Sequence, residues 1–132
     1  MKSVFSALLF ALALVSPVSA QTSKPISIEQ LAAYNKPDRE NVLYSGAKSE
    51  GKITWYTSLA GESYKQLAAA FEAKYPGVKV ESYRATRQEM SARITAESQA
   101  QRYIVDTIET TIPLLKLLKE NSMLVPYYFP SQ

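Results

Sequence analysis

KITWYTSLAGESYKQLAAAFEAKYPG, residues 52–77, reads as a strand that runs through a polar loop into an amphipathic helix. Ile53, Trp55 and Tyr56 supply the β-branched and aromatic content of a strand. Tyr64, Leu67, Ala68, Phe71 and Tyr75 then recur at helical spacing and predict one apolar face. Pro76-Gly77 closes the helix. The loop from Thr57 to Gly61 therefore falls at a strand's carboxyl end and a helix's amino end. Ligands bind there in α/β proteins because free backbone N–H groups and the helix dipole favour an anion.

Two more units follow in the same order. Val78 to Arg84 alternates apolar and polar residues, the period of a half-buried strand. A helix is predicted from about Thr86 to Gln101, anchored by Met90 and Ile94. Tyr103 to Ile108 reads as a third strand. Glu109-Thr110-Thr111 leads into a leucine-rich helix with Pro113 in its first turn, Leu114, Leu115, Leu117 and Leu118 on its apolar face, and Asn121 as its stop. The segment from Leu124 to Pro130 is aromatic and too proline-broken for a regular element. The order β-α-β-α-β-α, with right-handed crossovers, predicts a parallel three-layer lobe with helices on both faces of one sheet. Its three strand-to-helix loops, Thr57–Gly61, Arg84–Thr86 and Glu109–Thr111, then share one edge, which makes that edge the expected ligand crevice.

Upstream, three further segments are expected. Lys2, the apolar stretch from Val4 to Val15, Pro17 and Val18-Ser19-Ala20 form the three-part pattern of a secretory signal peptide over residues 1–20, with cleavage after Ala20. Residues 21–51 form an amino-terminal helical segment. Within it, Ser27-Ile28-Glu29-Gln30 matches a capping box for a short helix through Leu31 and Tyr34. A second helix begins at Pro37-Asp38, turns Val42, Leu43 and Ala47 inward, and ends at Gly51. Residues 52–132 make the partial α/β lobe. No cysteine follows the apolar run, which argues against a lipid anchor.

The composition excludes several chemistries. The chain has no Cys and no His, so disulfide scaffolds, thiol nucleophiles, histidine triads and histidine- or thiolate-bound zinc are ruled out. Loss of Lys2 with the leader lowers the net charge from +3 to +2, and the basic residues are too scattered to track nucleic acid. No carboxylate pair stands at a spacing suited to acid–base catalysis, so an enzyme is the weakest of the functional classes. No cofactor is expected.

The runs GAKSEGKITWYTS, FEAKYPGVKVESYRAT and YIVDTIET, in this order, resemble the amino-terminal lobe of extracellular solute-binding proteins of ABC importers, in particular the iron(III)-type group. The likeness extends from about Asp38 to Ser131. It implies the first lobe of a two-lobe periplasmic-binding-protein fold, a periplasmic location, and two partners: a small-molecule or metal-ion solute and an inner-membrane ABC permease. Such proteins continue into a second lobe that clamps the ligand, whereas this chain stops at Gln132. The expectation is therefore an incomplete first lobe, with a non-functional truncated product as the alternative.

By position in that family's pattern, Thr57, Ser58 and Ala60 would offer hydroxyls and backbone N–H groups to an anionic ligand. Ser58 alternatively caps the helix that follows. Arg84 and Thr86 follow the second strand, where Arg84 either grips a carboxylate or phosphonate through its fork or stands as a solvated charge. Glu109 and Thr110 follow the third strand, where Glu109 either helps hold a cation or complements a helix dipole. The tyrosines, Tyr64 and Tyr75 among them, read as packing residues rather than metal ligands.

Overall fold

A computed structural model describes residues 26–129, so the signal peptide, the lead from Gln21 to Pro25 and the last three residues lie outside the described residues. The described chain forms a short helix α1 (Ile28–Ala32), then α2 (Arg39–Glu50), β1 (Lys52–Thr57), α3 (Ser63–Lys74), β2 (Lys79–Arg84), α4 (Arg87–Gln99), β3 (Thr107–Glu109) and α5 (Ile112–Glu120). All strand pairings are parallel, and the sheet order is β2-β1-β3. The architecture is thus a mixed α/β layer structure around an open three-stranded sheet.

Local chemistry explains most element ends. Ser27 and Gln30 make the expected reciprocal capping box, which starts α1, although the helix ends at Ala32 rather than reaching Tyr34. Gly51 takes a left-handed conformation (φ 79°) and stops α2. Thr86 and Glu89 form a second capping box at the start of α4. Asn121 caps α5, whose first turn holds Pro113.

The core lies on one face of the sheet. Tyr56 projects from the central strand and packs with Ala85, with Met90 and Ile94 of α4, and with Leu114 and Leu118 of α5. Tyr56 and Met90 have no exposed surface. The other face carries Ile53 and Trp55, with Val80 paired to Ile53. Here α3 and α2 cover the sheet only in part. No residue of α3 is fully buried, and Leu67 keeps 55% of its surface exposed, because an open cavity of about 940 Å³ separates this helix from Trp55 and the carboxyl-terminal segment.

Aromatic contacts seat α2 against the end of α3. The Tyr44 ring lies 5.4 Å from Tyr75, and the Tyr44 hydroxyl donates to the Pro76 carbonyl at 2.7 Å. Tyr75 donates to Glu40, which also pairs with Lys74 at 2.9 Å. Tyr75 is therefore a tie between helices as much as a packing residue.

Three sequence expectations are corrected. β3 spans Thr107–Glu109 and not Tyr103–Ile108; Tyr103 is 82% exposed. Just before β3 the Asp106 N–H still donates to the Thr54 carbonyl at 3.0 Å, but the Thr54 N–H goes to the Asp106 carboxylate at 2.7 Å rather than to a backbone carbonyl. α3 starts at Ser63, with Glu62 before it, so Ser58 caps no helix. β2 begins at Lys79, one residue late, although Val78 is buried.

Candidate functional site

Parallel strands bring the ends of β1, β2 and β3 to one edge, and four of the seven predicted residues join there. Thr57, the last residue of β1, is fully buried. Its hydroxyl donates to Glu109 Oε2 at 2.6 Å and accepts the Leu59 N–H at 3.1 Å. The Ser58 N–H is shared between Glu109 Oε2 (3.1 Å) and the Glu109 backbone carbonyl (3.2 Å). Glu109 ends β3, in register with Thr57. Its carboxylate turns sideways to the β1 loop rather than forward to the α5 amino terminus, so the helix-dipole reading is replaced by a clasp between neighbouring loops.

The β2 loop joins from the other side. The Ala85 N–H donates to the Thr57 carbonyl at 3.1 Å, and Arg84 Nε donates to the Leu59 carbonyl at 2.8 Å. Arg84 itself is exposed, and no other hydrogen bond holds its terminal nitrogens among the described residues. Thr57, Ser58, Arg84 and Glu109 thus form one connected rim through Leu59.

The other candidates are placed differently. The Thr86 hydroxyl is committed to the capping box: it donates to Glu89 Oε2 at 2.8 Å and accepts the Glu89 N–H at 3.3 Å. The Thr86 N–H also donates to Glu89 Oε2 at 2.8 Å, and these bonds from the Thr86 N–H and hydroxyl hold the Glu89 carboxyl below the usual range. Ala60 lies exposed in the β1–α3 loop outside the hydrogen-bonded rim. Thr110 Oγ1 is buried without a hydrogen-bond partner among the described residues. No group of three or more Asp or Glu suited to a metal ion occurs among the described residues.

Two further polar constellations escaped the sequence reading. Tyr56 donates to Glu97 Oε1 at 2.6 Å, the same oxygen accepts Arg93 Nε at 2.8 Å, and the Arg93 guanidinium lies over the Tyr83 ring at 4.1 Å. Burial, then the Glu97 hydrogen bond, push the Tyr56 phenol up to about 12. The signal was present: Met90, Arg93, Ile94 and Glu97 recur at i, i+3, i+4 and i+7, so an ion pair shares the core face of α4. The second constellation is centred on Arg39, which is buried at the start of α2.

Among the described residues no helix is long and apolar enough to cross a membrane. In comparison with known proteins, no family model matches the chain and no curated protein sequence matches it.

Proposed function

We propose that this chain is a ligand-capturing lobe of an exported solute-binding protein of an ABC importer, that it receives a small anionic solute at the carboxyl edge of its sheet, and that it works with an inner-membrane permease. The observation that carries this reading is the joined rim, in which the exposed Arg84 is steadied by the Leu59 carbonyl through Nε while its terminal nitrogens make no other hydrogen bond among the described residues. A positioned guanidinium at the loop edge of a parallel sheet suits a carboxylate or phosphonate. The Thr57–Glu109–Ser58 clasp supports this role by fixing the β1 loop, with Glu109 as a tie rather than a ligand. The ordered resemblance to solute-binding lobes and the signal-like leader support export to the periplasm.

The test is a thermal-shift and calorimetric titration of the full chain with phosphate, methylphosphonate, citrate and iron(III) citrate. A saturable rise in Tm with at least one of them, abolished in Arg84→Ala and kept in the remote Lys52→Ala, is expected. An equal response in Arg84→Ala, or no response to any of the four, overturns the assignment.

A further inference from the structure

Arg39 is only 8% exposed, yet among the described residues no carboxylate pairs with it. Its guanidinium instead donates to three backbone carbonyls, those of Leu31, Tyr34 and Tyr128, the last at 3.0 Å. It also lies over the rings of Tyr127 (4.9 Å) and Tyr128 (5.5 Å). The Tyr128 N–H completes the junction by donating to the Ala32 carbonyl at 2.8 Å. One side chain thus fastens α1 to a segment that lies 89 residues beyond Arg39 itself.

What lies beneath this junction is hollow. Leu31 of α1 and Leu124 and Val125 of the tail face the same 940 Å³ cavity as Ile53, Trp55 and Phe71. Ile28, Val125, Tyr127 and Phe129 are exposed to solvent. The two segments are therefore held chiefly by the polar latch and little by a packed interface. An unpaired guanidinium also regains water when its carbonyl contacts open, which lowers the cost of release.

We propose that α1 and the tail from Leu124 to Phe129 form a single strap, latched by Arg39, that lifts as a unit from the apolar cavity beside Trp55 while the sheet stays intact. The inference is independent of the solute reading, because neither the latch nor the cavity lining includes a rim residue.

The test uses the full chain with Arg39→Ala and Arg39→Lys. Amide hydrogen exchange is read at Tyr128 and, as an internal control, at Tyr56 and Thr57. Acrylamide quenching reads Trp55, the one tryptophan of the chain. In Arg39→Ala, exchange at Tyr128 is expected to accelerate by about tenfold or more, given the strength of hydrogen bonds from a charged donor. Trp55 quenching should rise with it while Tyr56 and Thr57 keep their rates. Arg39→Lys keeps the charge but lacks the fork, so it should accelerate Tyr128 as well, and it is judged by the same criteria if Arg39→Ala does not fold. Unchanged exchange at Tyr128, unchanged Trp55 quenching, or equal acceleration at Tyr56 each overturns the strap.

Discussion

Thr57→Val removes one hydroxyl from the clasp and keeps the shape of a fully buried, β-branched side chain. Two bonds are lost. The 2.6 Å donation to the Glu109 carboxylate is charge-assisted, and such bonds contribute about 1.5–3 kcal/mol. The Leu59 N–H also loses its acceptor. Glu109 is only half-buried and keeps the Ser58 N–H, so water recovers part of the loss. A destabilisation of about 2 kcal/mol follows, roughly a thirtyfold shift in the folding equilibrium. With an m-value of about 1.5 kcal/mol/M, the urea midpoint should fall by about 1.3 M while m stays constant. Ser58→Ala is the control. Ser58 contributes its backbone N–H to the clasp, so truncating its side chain should move stability by less than about 0.5 kcal/mol. A Thr57→Val loss below that same margin, or a Ser58→Ala loss matching it, would refute the reasoning that the Thr57 hydroxyl holds these loops together.

Two other outcomes are expected. The Tyr56 phenol is raised to about 12 in the folded chain against about 10 when unfolded, so the native state keeps a proton that the unfolded chain releases in that interval. Its contribution, on the order of 2–3 kcal/mol, is complete below about pH 10 and is lost as pH rises through about 12; urea titrations at pH 8, 10 and 11.5 should show the decline. Tyr56→Phe should flatten it, and an equally steep decline in that variant would assign the effect to other groups. Thr86→Ala breaks the α4 capping box and should lower stability by about 1 kcal/mol in the same assay, with no change expected if the box contributes nothing.

Legibility along the chain followed the range of the forces involved. α4 could be read because Met90 and Ile94 bury one face, and the ends at Ser27, Gly51 and Asn121 because caps are local chemistry. The strand-end loops converge as the β-α-β order predicts, and four of the named residues, Thr57, Ser58, Arg84 and Glu109, form one rim. The identity of each bond was hidden. Nothing local distinguishes a Glu109 that completes a strand and clasps Thr57 from one that complements a helix terminus. β3 is shorter than its sequence suggests because Tyr103-Ile104-Val105 has strand composition, while the Asp106 carboxylate takes the Thr54 backbone donor that further pairing would use. Arg39 carried no signal at all, since one of its partners, Tyr128, lies 89 residues away.

The bond from the Val80 N–H to Glu72 Oε1, at 2.9 Å, bears on how this open sheet meets its surroundings. Lys79 turns its N–H inward to the Gly51 carbonyl, so in the alternation of a parallel ladder Val80 points its own to the outer edge of β2. That donor is already taken by a side chain from α3, and the other oxygen of the same carboxylate holds the Lys79 ammonium at 2.8 Å. An incoming strand would have to evict Glu72 before it could add to the row, and would meet the exposed charges of Glu81 and Arg84 alongside. At the far side, β3 offers only three residues as a template. Charged, short and pre-occupied edges are how sheets discourage further strands from adding. The helix that packs on β2 therefore also polices it against self-association.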